Sequence, residues 1–243
     1  MIVSLMQPQM MPHARYFELI GMADRFIFLD DFQFSFQSWH HRAKFVLNGK
    51  EKMVTVPIKE KFLPQNETLV NYDLPNIKEL LQKIEENYKK TPYFEEYYPY
   101  LRYSLELPFK SLAGLNMCIT LTVCNILGDE FMKPGKFLFS SNLESSGKKS
   151  ERVIDLLEQT EADIYLCAKG SYGYMKQEGL FPKEGINVFF QDHECIPYKQ
   201  QAPEFIPYIS IFDALFNVGR DGAIKTIYGT RHLKTWEEIK EEK

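Results

Sequence analysis

The sequence predicts a single α/β domain with a mainly parallel, Rossmann-like sheet, a helical insertion near 76–128 and a β-hairpin near 42–58. Three observations predict it. MIVSLMQP (1–8), PHARYFELIGMA (12–23) and RFIFLDD (25–31) read as strand, helix and strand, and a unit of about 30 residues of this kind is what a parallel pair needs. After residue 137 short apolar runs again alternate with helical periodicity. Between these two portions lies a long helical stretch. The chain has 243 residues, which suits one large domain.

Each element follows from local signals. The first strand is stopped by Pro8. Tyr16, Leu19, Ile20 and Ala23 then recur at helical spacing, and Pro12 suits a helix start. The second strand ends in Asp30 and Asp31. Open sheets bind ligands at the carboxyl ends of their strands, so Gln7, Gln9, His13, Asp30 and Asp31 are predicted on one edge. Asn48-Gly49 joins two β-prone runs, which is a hairpin signal. It puts Trp39, His40, His41, Arg42 and Lys44 on or just before the first arm. There they form either a solvated basic arm or an anion-binding face, because Arg and Lys beside Trp can hold a phosphate and stack on a base.

Residues 60–75 read as a polar loop with Pro64 and Pro75. Helix 77–90 carries Ile77, Leu80, Leu81 and Ile84 as its stripe, with Asn76 as cap. In 91–106 Thr91 is the expected cap, Pro92 falls in the first turn, and Pro99 is expected to interrupt the helix. Residues 110–128 form a mostly apolar helix ending at Gly128. Strands follow at 137–141, 163–168 and 186–194. A polar loop (142–150) and helix (151–162) separate the first two, and a glycine-containing turn and short helix (169–185) separate the last two. The segment from 205 becomes helical near Ser210, and the Lys/Glu-rich end (234–243) is expected to fray.

Composition narrows the class. Hydrophobic residues make up 44% and charged residues 26%, as in soluble proteins with a substantial core. The net charge of −4 argues against a nucleic-acid partner. No apolar run is long enough to span a membrane. The N-terminus lacks a basic n-region, so no signal peptide is expected. Cys118, Cys124, Cys167 and Cys195 show no C-x-x-C spacing and read as reduced thiols of a cytoplasmic protein.

Four constellations carry chemistry. SSGKKSERV (145–153) places Lys148, Lys149 and Ser150 immediately before a helix, where backbone N–H groups bind anions and lysines add charge. The GxxxxGK[ST] spacing is absent, and the alternative is a capped helix with Ser150 as N-cap and solvated lysines. KGSYGYM (169–175) offers Gly170 and Gly173 for close approach and Tyr172 and Tyr174 as stacking rings, or a plain turn. Asp192, His193 and Glu194 end a strand, but alternation turns the two acids away from His193, against a metal site. His13 opens the first helix. The pattern P-H-x-R-Y after a first strand loosely resembles the phosphate-binding signature of the nucleotidylyltransferase and class I synthetase superfamily, with one His here and Arg15 and Tyr16 in the later positions.

As a set, MQP…P…YFELI (6–20), DDFQFS…SW..R (30–42), KSER (149–152), IYL…G…Y (164–174), H….Y.Q (193–200) and FIP.ISI.D.L.N.G (205–219) resemble the WbqC-like family. The resemblance spans nearly the whole chain and implies a setting in the synthesis of bacterial surface polysaccharide, of O-antigen type. With the superfamily likeness it implies ATP-dependent transfer of an amino acid, such as glycine, to a nucleotide-linked amino sugar, with ATP and Mg²⁺ as cofactors. Lys148, Lys149 and Arg42 would hold phosphates, and His13 and Gln7 would orient the α-phosphate or acyl group. Asp30 or Asp31 would accept the amine proton or bind Mg²⁺. Trp39, Ser150, Gly170, Tyr174 and His193 complete the expected substrate-binding set. The alternatives are a glycosyl or acyl transferase that does not use ATP, and a non-catalytic sugar-nucleotide binding protein.

Overall fold

Strand β1 (Ile2–Met6) lies at the centre of a six-stranded sheet in the computed structural model, which describes residues 1–60, 62–73 and 76–242. Helix α1 (Ala14–Met22) leads back to β2 (Arg25–Phe28), parallel to β1 with Met6 opposite Phe28. The hairpin β3 (Arg42–Leu47) and β4 (Lys50–Thr55) stands outside this sheet. It turns at Asn48 (φ 54°) and Gly49 (φ 73°), the left-handed pair that the Asn-Gly signal calls for. Three helices follow, α2 (Asn76–Tyr88), α3 (Phe94–Glu106) and α4 (Leu112–Leu127). The chain then runs through β5 (Phe137–Phe139), α5 (Ser150–Gln159), β6 (Ile164–Ala168), α6 (Tyr172–Glu178), β7 (Asn187–Gln191), α7 (Ile211–Tyr228), β8 (Leu233–Thr235) and α8 (Trp236–Glu241).

The strands lie in the order β5-β2-β1-β6-β7-β8, and all neighbours are parallel except the edge pair β7 and β8. Counted in chain order, the five parallel strands run 3-2-1-4-5, a doubly wound sheet. Its direction of growth reverses between β1 and β6. A crevice at such a switch point, beyond the carboxyl ends of the strands, is where this architecture takes ligands.

Parallel sheets are stable when both faces are covered, and the side-chain alternation of β2 shows how. Phe26 and Phe28 join the core beneath α1, α4 and α7, whereas Ile27 joins the core beneath α5, α6 and α8. Phe28 stacks on Phe137 (5.6 Å) and Phe139 (6.0 Å), which binds β5 to the sheet. Asp213 of α7 is fully buried and accepts from Tyr88 Oη (2.6 Å), Tyr198 Oη (2.7 Å) and Gln200 Nε2 (3.0 Å). The Y.Q and D.L.N.G motifs therefore build a buried polar knot in the core.

Several local expectations change. Thr91 does not cap α3; its hydroxyl donates to the carbonyl of Tyr88 (2.7 Å) and closes α2. Pro99 lies inside α3 without ending it, since the missing N–H removes one helical bond while Tyr97, Tyr98 and Leu101 still bury the face. Asn76 is the first residue of α2, and Pro75 lies outside the described residues. Ser150 is likewise inside α5, with Lys149 (φ 52°) at the cap position. The C-terminal stretch does not fray over 234–242. Thr235 and Glu238 form a reciprocal capping box, and Lys234 pairs with Asp192 and Glu242.

Candidate functional site

The carboxyl edge of the sheet opens into two clefts that share Met6, the last residue of β1. The cleft on the α5/α6 face has a volume of about 380 Å³ and an apolar lining that includes Leu5, Leu29, Phe32, Tyr165 and Tyr174, with Gln7, Lys149 and Glu178 as polar members. The cleft on the α1 face is smaller, about 250 Å³, and more polar; Gln9, His13, Arg15, Trp39, Gly170 and Gln191 line it.

The loop after β1 is held from three sides. Met10 N–H donates to Trp39 O (2.8 Å), Asn116 of α4 donates to Pro8 O (3.3 Å) and His40 O (2.7 Å), and Ile211 N–H donates to Pro12 O (2.9 Å). Hydrogen bonding also fixes the orientation of Gln7. His40 Nδ1 accepts from the Ser35 N–H (3.2 Å), so its Nε2 carries the proton and donates to Gln7 Oε1 (2.7 Å). That turns the Gln7 amide nitrogen away from His40 as a donor. Burial and the neighbouring His41 push the His40 pKa down to about 4, which keeps this arrangement neutral.

His13 occupies the cap position of α1 without a side-chain cap bond, and its Nδ1 is buried with no partner among the described residues. Its ring meets Tyr208 edge-on (5.5 Å). Burial, then Arg15, His193 and Lys44, lower its pKa to about 3. One helical turn on, Glu18 is fully buried, and burial raises its pKa to about 7. Gln191 stands between Arg15 and Glu18. It accepts from Arg15 Nε through its side-chain oxygen (3.0 Å) and donates to Arg15 O (2.7 Å) and to the Glu18 carboxyl. Sequence reasoning missed Glu18 and Gln191 and treated Arg15 only as an occupant of a signature position. The available signal was a carboxylate between Phe17 and Leu19 in the apolar stretch of the first helix.

Asp30 and Asp31 lie between two lining residues, Leu29 and Phe32. Asp30 accepts from Ser140 Oγ (3.2 Å), Ser141 N–H (3.1 Å) and Ser141 Oγ (2.7 Å). Asp31 accepts from Ser140 Oγ (2.5 Å) and pairs with Arg152 (2.5 Å), whose guanidinium also covers the Phe32 ring at 4.9 Å. Their oxygens thus clasp the 140–142 turn and α5 to the sheet. Among the described residues no three His, Cys, Asp or Glu side chains converge as metal ligands, and each oxygen of this acid pair is engaged by Ser140, Ser141 or Arg152.

The remaining residues divide. Lys149 and Tyr174 line the apolar cleft, and Ser150 adjoins it. The Ser150 N–H donates to Glu178 Oε2 (3.0 Å) and Lys149 pairs with Glu178 Oε1 (3.3 Å); the Ser150 side chain first, then its N–H and Lys149, hold the Glu178 carboxyl below its ordinary range. Trp39 and Gly170 line the polar cleft, and a Cβ on Gly170 would meet nothing within 4 Å. Lys148 is exposed, and Arg42 donates to Ser38 O (3.4 Å); neither lines a cleft. His193 Nε2 reaches the carbonyls of Thr226 (3.0 Å) and Ile227 (3.1 Å), two of the open acceptors at the end of α7. Tyr172 is buried against Phe190 and Trp236 and is no stacking platform.

Sheet order and edge clefts define a doubly wound α/β protein with a bipartite crevice at its switch point. The chain belongs to the WbqC-like protein family, whose model matches residues 7–225. It is 30% identical over 224 residues to the uncharacterized protein Rv1507c of Mycobacterium tuberculosis (strain ATCC 25618 / H37Rv), a match covering 90% of this chain and 94% of that protein. No solved structure matches. Among the described residues no helix is long and apolar enough to cross a membrane.

Proposed function

We propose that this chain is an enzyme of bacterial surface-polysaccharide synthesis that joins an amino acid, such as glycine, to a nucleotide-linked amino sugar at the expense of ATP. The observation that carries the reading is the bipartite crevice, in which an apolar cleft and a polar cleft adjoin at Met6, beside an oriented Gln7 amide. The apolar cleft suits a nucleoside, with Phe32 and Tyr174 as ring contacts. Lys149 would release Glu178 and meet phosphate oxygens, with Lys148 adding charge from the loop. A carboxylate oxygen attacks the α-phosphorus and pyrophosphate leaves. The amine nitrogen then attacks the acyl carbon, AMP leaves, and the amine proton passes to Asp31, the more open of the acid pair, or to water. His13 and Gln7 orient the reacting groups. Mg²⁺ would enter with the triphosphate, and no step is assigned to it.

The test is a thermal-shift series with ATP, nucleotide sugars and acyl-CoA, followed by an assay for AMP release that depends on both amino acid and amino sugar. A ligand that binds only the folded state at 100 times its Kd stabilises by about 2.7 kcal/mol. Stabilisation by ATP that is lost in Lys149→Ala, together with AMP release, supports the reading. A second reading, a transferase that does not use ATP, is favoured by the Lys149–Glu178 pair, since a carboxylate already stands where a triphosphate needs positive charge. Stabilisation by a nucleotide sugar or acyl-CoA alone would select it.

A further inference from the structure

We propose that the polar cleft on the α1 face is a binding site for a small carboxylate, anchored by Arg15. The inference rests on the amide-forming reading and specifies what its second cleft holds. Arg15 is placed without being neutralised. Its side chain donates to Gln191 Oε1 (3.0 Å) and to the Gln191 carbonyl (3.5 Å), both uncharged oxygens. Gln191 directs its N–H groups to the Glu18 carboxyl and the Arg15 carbonyl, so it bridges the buried acid and Arg15, whose charge also acts on Glu18. A guanidinium carries five donors in a planar fork that matches a carboxylate, and the bonds to Gln191 leave donors over.

Two further features border the same cleft. His13 lines it, and its Nδ1 is enclosed with no partner among the described residues, an unmet polar group that costs free energy. Helix α1 starts here without a side-chain cap, so its positive end adds to the field of Arg15. Size and charge select the ligand. About 250 Å³ is below the roughly 300–1,000 Å³ typical of drug-sized ligands, and it suits a compact molecule of amino-acid size. One guanidinium and one helix end balance a monoanion. A phosphate dianion would call for a second cation, and Lys44, whose charge reaches His13, is paired with Glu51 (2.8 Å). Trp39 walls the cleft and Gly170 leaves its mouth open.

Trp39 also provides the readout. Acetate, glycine and inorganic phosphate are titrated into the full chain while tryptophan emission is followed, with Trp39→Phe to assign the signal. Acetate and glycine are expected to give a saturable change that is absent in Trp39→Phe. Arg15→Gln should weaken binding about tenfold or more, and Arg15→Lys less. Arg15→Lys carries the test if the melting curve of Arg15→Gln shows that it is not folded. Preference for phosphate over both carboxylates, unchanged affinity in the Arg15 variants, or no saturable response to either carboxylate would overturn the assignment. ATP binding to the apolar cleft, measured separately with Lys149→Ala, distinguishes the failures. Carboxylate binding without ATP binding sinks the amide-forming reading alone, and ATP binding without carboxylate binding sinks this inference alone.

Discussion

His40 shows how completely surroundings decide the role of one residue. In sequence it adjoins Arg42 and Lys44 and reads as part of a basic arm. In the fold it is buried, uncharged near neutral pH, and bonded on both ring nitrogens, to the Ser35 N–H and to Gln7 Oε1. It is a positioning residue for Gln7. His40→Ala removes the ring and leaves both partners unmet, which should cost about 2–4 kcal/mol of stability. It should also weaken ligand binding in the apolar cleft, because Gln7 is no longer oriented. Denaturant unfolding measures the first effect. Nucleotide titration of the folded variant measures the second, and an unchanged Kd would confine His40 to stability.

At the scale of elements, the acid pair after β2 clasps α5 and the 140–142 turn to the sheet. Arg152 is largely enclosed and pairs with Asp31 while covering Phe32. Removing one partner of such a pair costs more than the pair contributes, since the other is left without compensation. Arg152→Ala should therefore destabilise by about 1–3 kcal/mol and speed amide exchange over residues 143–150; exchange unchanged there would show that the clasp is dispensable. The elements themselves were legible where periodicity is local. The strand–helix–strand start, the Asn48-Gly49 hairpin and the apolar run of α4 each announce themselves within a few residues. Strand β8 and helix α8 were not legible, because Lys234 and Thr235 join the sheet through pairing with β7 and ion pairs to Asp192 and Glu242, none of which is local. The clefts were half legible. Strand-end logic put Gln7, Gln9 and His13 at the right edge, but the Arg15–Gln191–Glu18 arrangement joins residues more than 170 positions apart.

For the molecule as a whole, buried titratable groups set how stability depends on pH. His13 and His40 have pKa values pushed to about 3 and about 4, and that of His193 is lowered as well, in each case chiefly by burial. Below their unfolded value of about 6.5 the unfolded chain binds protons that the folded chain refuses. Their contribution is present above 6.5 and is lost as pH falls toward 4 and 3. Glu18 has the opposite sign. Its pKa rises from 4.5 to about 7, so the folded state holds the proton more tightly. That contribution is present below 4.5 and is lost as pH rises through 7, with a slope approaching about 1.4 kcal/mol per pH unit inside the window. The histidines outnumber Glu18 on the acid side, so stability should climb from pH 5 to about pH 7 and level off by pH 8, where the remaining contributions nearly cancel. Glu18→Gln should remove that opposing slope and so steepen the rise between pH 5 and pH 7 by up to about 1.4 kcal/mol per pH unit. Urea unfolding between pH 5 and pH 8 measures the slope, and a Glu18→Gln curve parallel to that of the unaltered protein across this range would show that Glu18 stays ionised in the fold.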